Sequence, residues 1–259
     1  MYIYTIIQMY FMKIISLLNH KGGTGKTTCS TNIGAELARR GYKTLLIDFD
    51  PQANLSQGLG IFDPKETVYT SLSGEKPLPI IHLSSFDLVP SSLDLAALET
   101  EISSKMAREF VLKNALEPIK ANYDYILIDC PPSLGIMTIN CLIASDSVIV
   151  PLEAEFFAFK GIDTIINVIG KVNQSFSKTI NIAGVILNEY NPRKKLTQSI
   201  EAELRTHLND TLLDAKLRTN IALSESQING QHIFDYAVES NAARDFENIV
   251  TELINKKKI

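Results

Sequence analysis

The sequence predicts an α/β protein with a doubly wound, mainly parallel sheet and helices on both faces. Three observations lead there. A glycine-rich loop at Asn19 to Thr28 separates a short apolar run from a segment with helical periodicity. Further apolar runs at 43–48, 123–129, 146–153 and 180–188 alternate with amphipathic stretches, and strands spaced this way form βα units with parallel neighbours. Two of these runs end in an aspartate, Asp48 and Asp129, and open α/β sheets bind ligands at the carboxyl ends of their strands.

The first unit is the most specific. Ile14 to Leu18 is short enough for a buried strand, and Cys29 to Arg40 carries Ile33, Leu37 and Ala38 at helical spacing, with Gly41 placed to cap it. Between them, glycines remove the Cβ atoms that would obstruct a phosphate. The backbone N–H groups and the positive end of the helix dipole then face the same anion. In such a loop Lys26 lies along the β- and γ-phosphates and Thr27 offers its hydroxyl to Mg²⁺. The pattern departs from G-x-x-x-x-G-K-[ST]: His20 replaces the first glycine, and a second lysine, Lys21, opens the loop. Lys21-Gly22-Gly23-Thr24-Gly25-Lys26-Thr27-Thr28 resembles the deviant Walker A motif of the ParA/MinD superfamily of P-loop ATPases. That resemblance implies an ATP site built from Lys21 to Thr28. It also implies that Lys21 reaches across a nucleotide-sandwich dimer to the partner's phosphates, so that Lys21 and Lys26 both serve catalysis.

Bulk properties narrow the class. The chain has 259 residues, and one domain over 12–259 is expected. A 45% hydrophobic and 21% charged composition, with no apolar run long enough for a bilayer, describes an ordinary soluble and cytosolic globular protein. Residues 1–11 are apolar but lack a basic start and a small-residue cleavage site, so they make a poor signal peptide. Met12-Lys13-Ile14 is a natural beginning, and 1–11 is expected to be an extension without structural role. Cys29, Cys130 and Cys141 form no C-x-x-C pair and read as buried thiols without a disulfide. A net charge of −4 excludes a globally basic DNA-coating protein, so any nucleic-acid contact must be a local patch.

The remaining elements follow in chain order. Asp48-Phe49-Asp50-Pro51-Gln52 closes the second strand and resembles the superfamily's switch I. By that resemblance Asp50 orients or activates the attacking water, and Asp48 supports Mg²⁺ from its outer shell. Residues 54–74 are polar and glycine-punctuated, Ser71 to Pro77 reads as a loop, and short strands are expected at 80–83 and 86–90. Residues 93–121 read as a helix with a break near Ser103-Ser104. The run 123–129 ends as a Walker B strand in Asp129, whose carboxylate beside the P-loop holds Mg²⁺ directly or through water, and Asp129-Cys130-Pro131-Pro132-Ser133 resembles switch II. A helix is expected from about 159 to 172.

Asn188 leaves the last strong strand. Two readings stand open for it: an adenine contact, as the resemblance implies, or an amide that caps the strand end. Helix 194–210 turns Lys194, Lys195 and Arg205 toward solvent. Leu217 to Ser226 is similar to the superfamily's Pro-Arg-Asn-Val-Arg-Leu-Ser-Glu-Ala segment; Arg218 matches its first arginine, while Ala222 stands where the second belongs. Lys194, Lys195 and Arg218 are the candidate DNA contacts. Phe246, Ile249, Val250, Leu253 and Ile254 form an apolar stripe on the last helix, with Glu247 and Glu252 on its other face.

The resemblance spans residues 12–254. It implies a ParA-type partition ATPase for a chromosome or plasmid: cytoplasmic and nucleoid-associated, using ATP and Mg²⁺, a homodimer when ATP-bound, binding double-stranded DNA without sequence preference and released by ParB-stimulated hydrolysis. The alternative is a MinD-like positioner whose last helix enters a membrane. The narrow stripe, the absence of Trp and the two glutamates favour core packing instead. A third class, an iron–sulfur relative, requires cysteines placed at the dimer face.

Overall fold

The computed structural model describes residues 12–155 and 158–259, so the expectation for residues 1–11 lies outside the described residues. Its sheet is built from β1 (Lys13–Leu17), β2 (Thr44–Asp48), β3 (Ile81–His82), β4 (Asp87–Val89), β5 (Tyr125–Asp129), β6 (Ser147–Glu153) and β7 (Asn181–Asn188). Their order is β3-β4-β2-β5-β1-β6-β7. Every pairing is parallel except β3 with β4. The register sets the site: Leu17 and Asp48 both lie opposite Asp129, so β1, β2 and β5 end level and release their next residues at one edge.

Side chains alternate across the sheet, and each face has its own core. Along β5, Ile126 and Ile128 join the cluster on one face, while Tyr125 and Leu127 join the other. The helices are α1 (Lys26–Arg39), α2 (Asn54–Gly58), α3 (Val68–Gly74), α4 (Leu95–Glu101), α5 (Val111–Leu116), α6 (Ile136–Ala144), α7 (Ala158–Phe176), α8 (Lys195–Leu208), α9 (Ile221–Ile228), α10 (Ile233–Tyr236) and α11 (Asn241–Asn255). Buried residues of α4 to α8 fill the first cluster, and those of α1, α10 and α11 fill the second. On α1, Gly34 lets the helix lie close on the sheet, since a Cβ there would sit 2.5 Å from Leu46 Cδ2.

One expectation is corrected. The polar stretch 54–74 contains α2 and α3, and the first part of the loop expected at 71–77 belongs to α3. Gly58 and Gly74 close these helices, and Thr67 and Thr70 cap α3 reciprocally while Val68 and Leu72 are buried. The helix expected over 93–121 with a break near Ser103-Ser104 is divided there: α4 ends at Glu101 and α5 begins at Val111, with a single turn at Arg108–Phe110 between them. Asn140 of α6 stabilises the break: its Oδ1 accepts from Leu112 N at 3.2 Å and its Nδ2 donates to the Arg108 carbonyl at 2.9 Å.

The stripe on α11 is spent on the core. Phe246, Ile249, Val250 and Leu253 are completely buried, and truncating such a phenylalanine costs about 3–5 kcal/mol. None of these side chains is left for a bilayer. Among the described residues, no helix is long and apolar enough to cross a membrane.

Candidate nucleotide site

The loop after β1 is shaped before any ligand arrives. Asn19 donates its Nδ2 to the Pro151 carbonyl at 2.7 Å and accepts from Lys21 N at 3.0 Å, which turns the chain back at the strand end. Gly23 and Gly25 take φ values of 79° and 89°, a left-handed conformation that glycine adopts without strain. A Cβ on Gly22 or Gly23 would meet nothing within 4 Å, so the loop presents open backbone; at Gly25 it would strike Asn188 Nδ2 at 2.5 Å. No side chain caps the start of α1, which leaves its N–H groups for an anion. Above them opens a cleft of about 720 Å³ whose lining includes Gly22, Lys26, Thr27, Asp50, Pro132 and Gln227.

Two buried carboxylates stand at the level strand ends. Asp129 accepts from Thr27 Oγ1 at 2.7 Å and from Ser30 Oγ at 3.1 Å. Burial, with the neighbouring charge of Asp48 adding to it, pushes Asp129 up to about 7. Asp48 accepts from the backbone and hydroxyl of Ser56 at 2.8 and 2.7 Å and from Asp50 N at 3.2 Å. Burial raises it to about 6 against the opposing pull of the Ser56 hydrogen bonds. The hydroxyl of Thr27 beside the Asp129 carboxylate is the hard-oxygen donor set that Mg²⁺ takes, and a cation there would relieve both raised carboxylates. Asp50 lines the cleft, and its Oδ1 accepts from Gln52 N at 3.0 Å. Ala53, just beyond it, is held at φ 52°, an uncommon left-handed conformation for a residue with a Cβ.

The other residues singled out in the sequence have definite places. Lys21 does not line the cleft: its Nζ lies 3.0 Å from Glu153 and 2.7 Å from Glu155, and those two hydrogen bonds, the one to Glu155 first, raise its pKa. Lys26 Nζ donates to the Lys21 carbonyl at 3.4 Å. Asn188 is buried and donates to the Thr24 carbonyl at 3.0 Å, an amide tie between the end of β7 and the glycine loop. Lys194 and Lys195 are exposed at the start of α8 and, among the described residues, lie in no ion pair. Arg218 instead grips the buried Asp245 of α11, with Nη2 2.6 Å and Nε 3.0 Å from its carboxylate and a backbone N–H bond at 3.0 Å. Cys29, Cys130 and Cys141 are free and completely buried, away from any surface where two copies could share a cluster.

Sequence reading passed over Ser30, Ser56 and the glutamates that hold Lys21. Ser30 had a signal, since it lies three positions after Thr27 on the same helix face. Ser56 had none.

A glycine loop with two lysines, opening onto a helix N-terminus and flanked by carboxylates on adjacent parallel strands, defines the class: a P-loop nucleotide-binding protein of the doubly wound α/β type. A family model described as AAA domain matches residues 12–182. The chromosome partitioning protein ParA of Caulobacter vibrioides is 36% identical over 255 residues, covering 95% of this chain and 96% of its own. The chromosome-partitioning ATPase Soj of Treponema pallidum is 37% identical over 249 residues, with 93% and 97% covered. A putative plasmid partition protein of Borrelia burgdorferi bound to AMPPNP superposes with a TM-score of 0.80 at 26% identity, covering 95% of this chain and 99% of that one. The chain belongs to the ParA/Soj family of partitioning ATPases.

Proposed function

We propose that residues 12–259 form a single Mg²⁺-dependent ATPase unit that partitions a chromosome or plasmid, working as an ATP-bound dimer on DNA. The observation that carries this reading is the level ending of β1, β2 and β5. It brings the glycine loop and Asp50 to one cleft, with Asp129 behind it on Thr27 and Asp48 behind Asp50, and leaves a second lysine outside the lining.

In this reading Gly22 to Thr28 hold the phosphates through backbone N–H groups and Lys26, and Thr27 and Asp129 hold Mg²⁺ with Asp48 behind them. The metal supplies charge neutralisation to the transferring phosphoryl group. Asp50 orients the water that attacks it. Asn188 acts through Thr24 by fixing the loop, and Lys21 leaves its glutamates to reach the partner's phosphates. Lys194 and Lys195 contact DNA phosphates without reading bases, Arg218 contributes only as far as Asp245 releases it, and a ParB-like protein accelerates turnover. The site of action is the cytoplasm, on the nucleoid. Burial of the α11 stripe weighs against the membrane-bound alternative.

The test is retention on random duplex DNA with Mg-ATP. Asp50→Ala should accumulate as a DNA-bound dimer with turnover blocked, whereas Lys194→Glu with Lys195→Glu should dimerise with ATP but lose retention and its salt dependence. Turnover of Asp50→Ala at the parent rate, or retention that ignores both lysines and ATP, would remove this reading.

A further inference from the structure

Around the Asp48–Asp50 turn the hydrogen bonds close into a ring drawn from three separate segments. Ser91, just beyond β4, donates its backbone N–H to Ser56 Oγ at 3.0 Å. Ser56 donates its hydroxyl to Asp48 Oδ2 at 2.7 Å. Ser91 donates its own hydroxyl to the Asp50 carbonyl at 2.9 Å, and Asp50 N returns to Asp48 Oδ1 at 3.2 Å. The directions are forced. A backbone N–H only donates and a carbonyl only accepts, so each serine hydroxyl has a single place for its hydrogen. Ser56 is completely buried and Ser91 is 1% exposed, which leaves water no access to replace either bond.

We infer that Ser56 and Ser91 are positioning residues for the hydrolytic step, a deduction that rests on the role proposed for Asp50. Neither serine lines the cleft. Ser91 fixes the Asp50 carbonyl, and with it the backbone from which the Asp50 carboxylate projects. Ala53 N also donates to that carbonyl, at 2.9 Å, and Ala53 is the residue held left-handed. The ring therefore opposes relaxation of a strained turn. It also makes the end of β4 part of the catalytic scaffold.

An isosteric pair isolates the hydroxyl. Ser91→Thr and Ser91→Val add the same volume at a buried position, but only threonine keeps the donor. Ser91→Val should lower kcat by about ten- to a hundred-fold, the cost of misplacing a reacting group, with the KM for ATP and the affinity for a fluorescent ADP unchanged. Ser91→Thr should retain most of the turnover. Ser56→Ala should follow Ser91→Val; should it fail to fold, the Ser91 pair decides alone. Threonine and valine variants that behave alike, or a kcat loss matched by an equal loss of nucleotide affinity, would overturn the inference. Asp50→Ala run in parallel separates the two failures. If it turns over normally, the role of Asp50 falls; if it is inactive while Ser91→Val keeps the parent kcat, the ring inference falls by itself.

Discussion

Asp129→Asn should stabilise the nucleotide-free, Mg²⁺-free protein at pH 8 by more than at pH 5. In the folded chain Asp129 is lifted to about 7, whereas an unfolded aspartate titrates near 3.9. The native state thus holds this proton more tightly, so the stability tied to it is present at low pH and is lost as pH rises from about 4 to 7. Three units at about 1.4 kcal/mol each set an upper bound of about 4 kcal/mol. Asp48 titrates with Asp129 as a pair, and part of the window lies below pH 5, so the gap between variant and parent should widen by about 2 kcal/mol from pH 5 to pH 8. For a chain of this size that is about 4–8 °C in Tm. Asparagine fits the existing bonds. Thr27 can still donate to the amide oxygen, and Ser30 can turn its hydrogen to the Lys26 carbonyl at 3.0 Å and accept from the amide nitrogen. Thermal melts of both proteins in chelator at pH 5, 6, 7 and 8 measure the gap, and the difference cancels the other titrating groups. Saturating Mg-ADP should reverse the ranking. A gap that is flat, or that narrows as pH rises, would refute the reasoning.

Lys26→Ala should lose nucleotide affinity, while Lys21→Ala should still bind ATP but sediment as a monomer with a slowly hydrolysed analogue; an alanine variant at 21 that dimerises normally would end the cross-dimer assignment. Arg218→Glu is expected to act on the fold before it acts on DNA. It sets a second carboxylate against the buried Asp245, and stranding a buried charge costs about 3 kcal/mol or more. Melting should fall by several degrees, and pairing the change with Asp245→Arg should recover much of it. An unchanged Tm for Arg218→Glu would show the ion pair to be incidental.

What the sequence revealed divides by distance along the chain. The glycine loop, the aspartates at strand ends and the alternating runs were legible because their logic is local: φ freedom, strand termination and side-chain period all act within a few residues. The α11 stripe was legible as apolar, and Glu247 and Glu252 on its far face pointed to the core that receives it. The helices within 54–74 were hidden because their glycines sit at helix ends, where they read as loop punctuation. Arg218 looked like a free cation because Asp245 lies 27 residues away, and Lys21 looked free because its glutamates are 132 and 134 residues away. Ser56 and Ser91 are unremarkable in one dimension. Only the register of β2 against β4 makes them neighbours.

The pairing of Lys21 with Glu153 and Glu155 has a consequence for the outside of the molecule. All three side chains reach water, and exposed ion pairs of this kind are worth about 0–1 kcal/mol, so the lysine is withdrawn at little cost and returns as readily. At rest the trio sums to one negative charge. Were the ammonium to move to a phosphate, as the proposed dimer requires, the two carboxylates would stay behind uncompensated and the patch would double its charge. Engagement of the cleft would then be written onto the protein's exterior as a local change in potential, sensitive to ionic strength and readable by whatever approaches the edge where β6 ends.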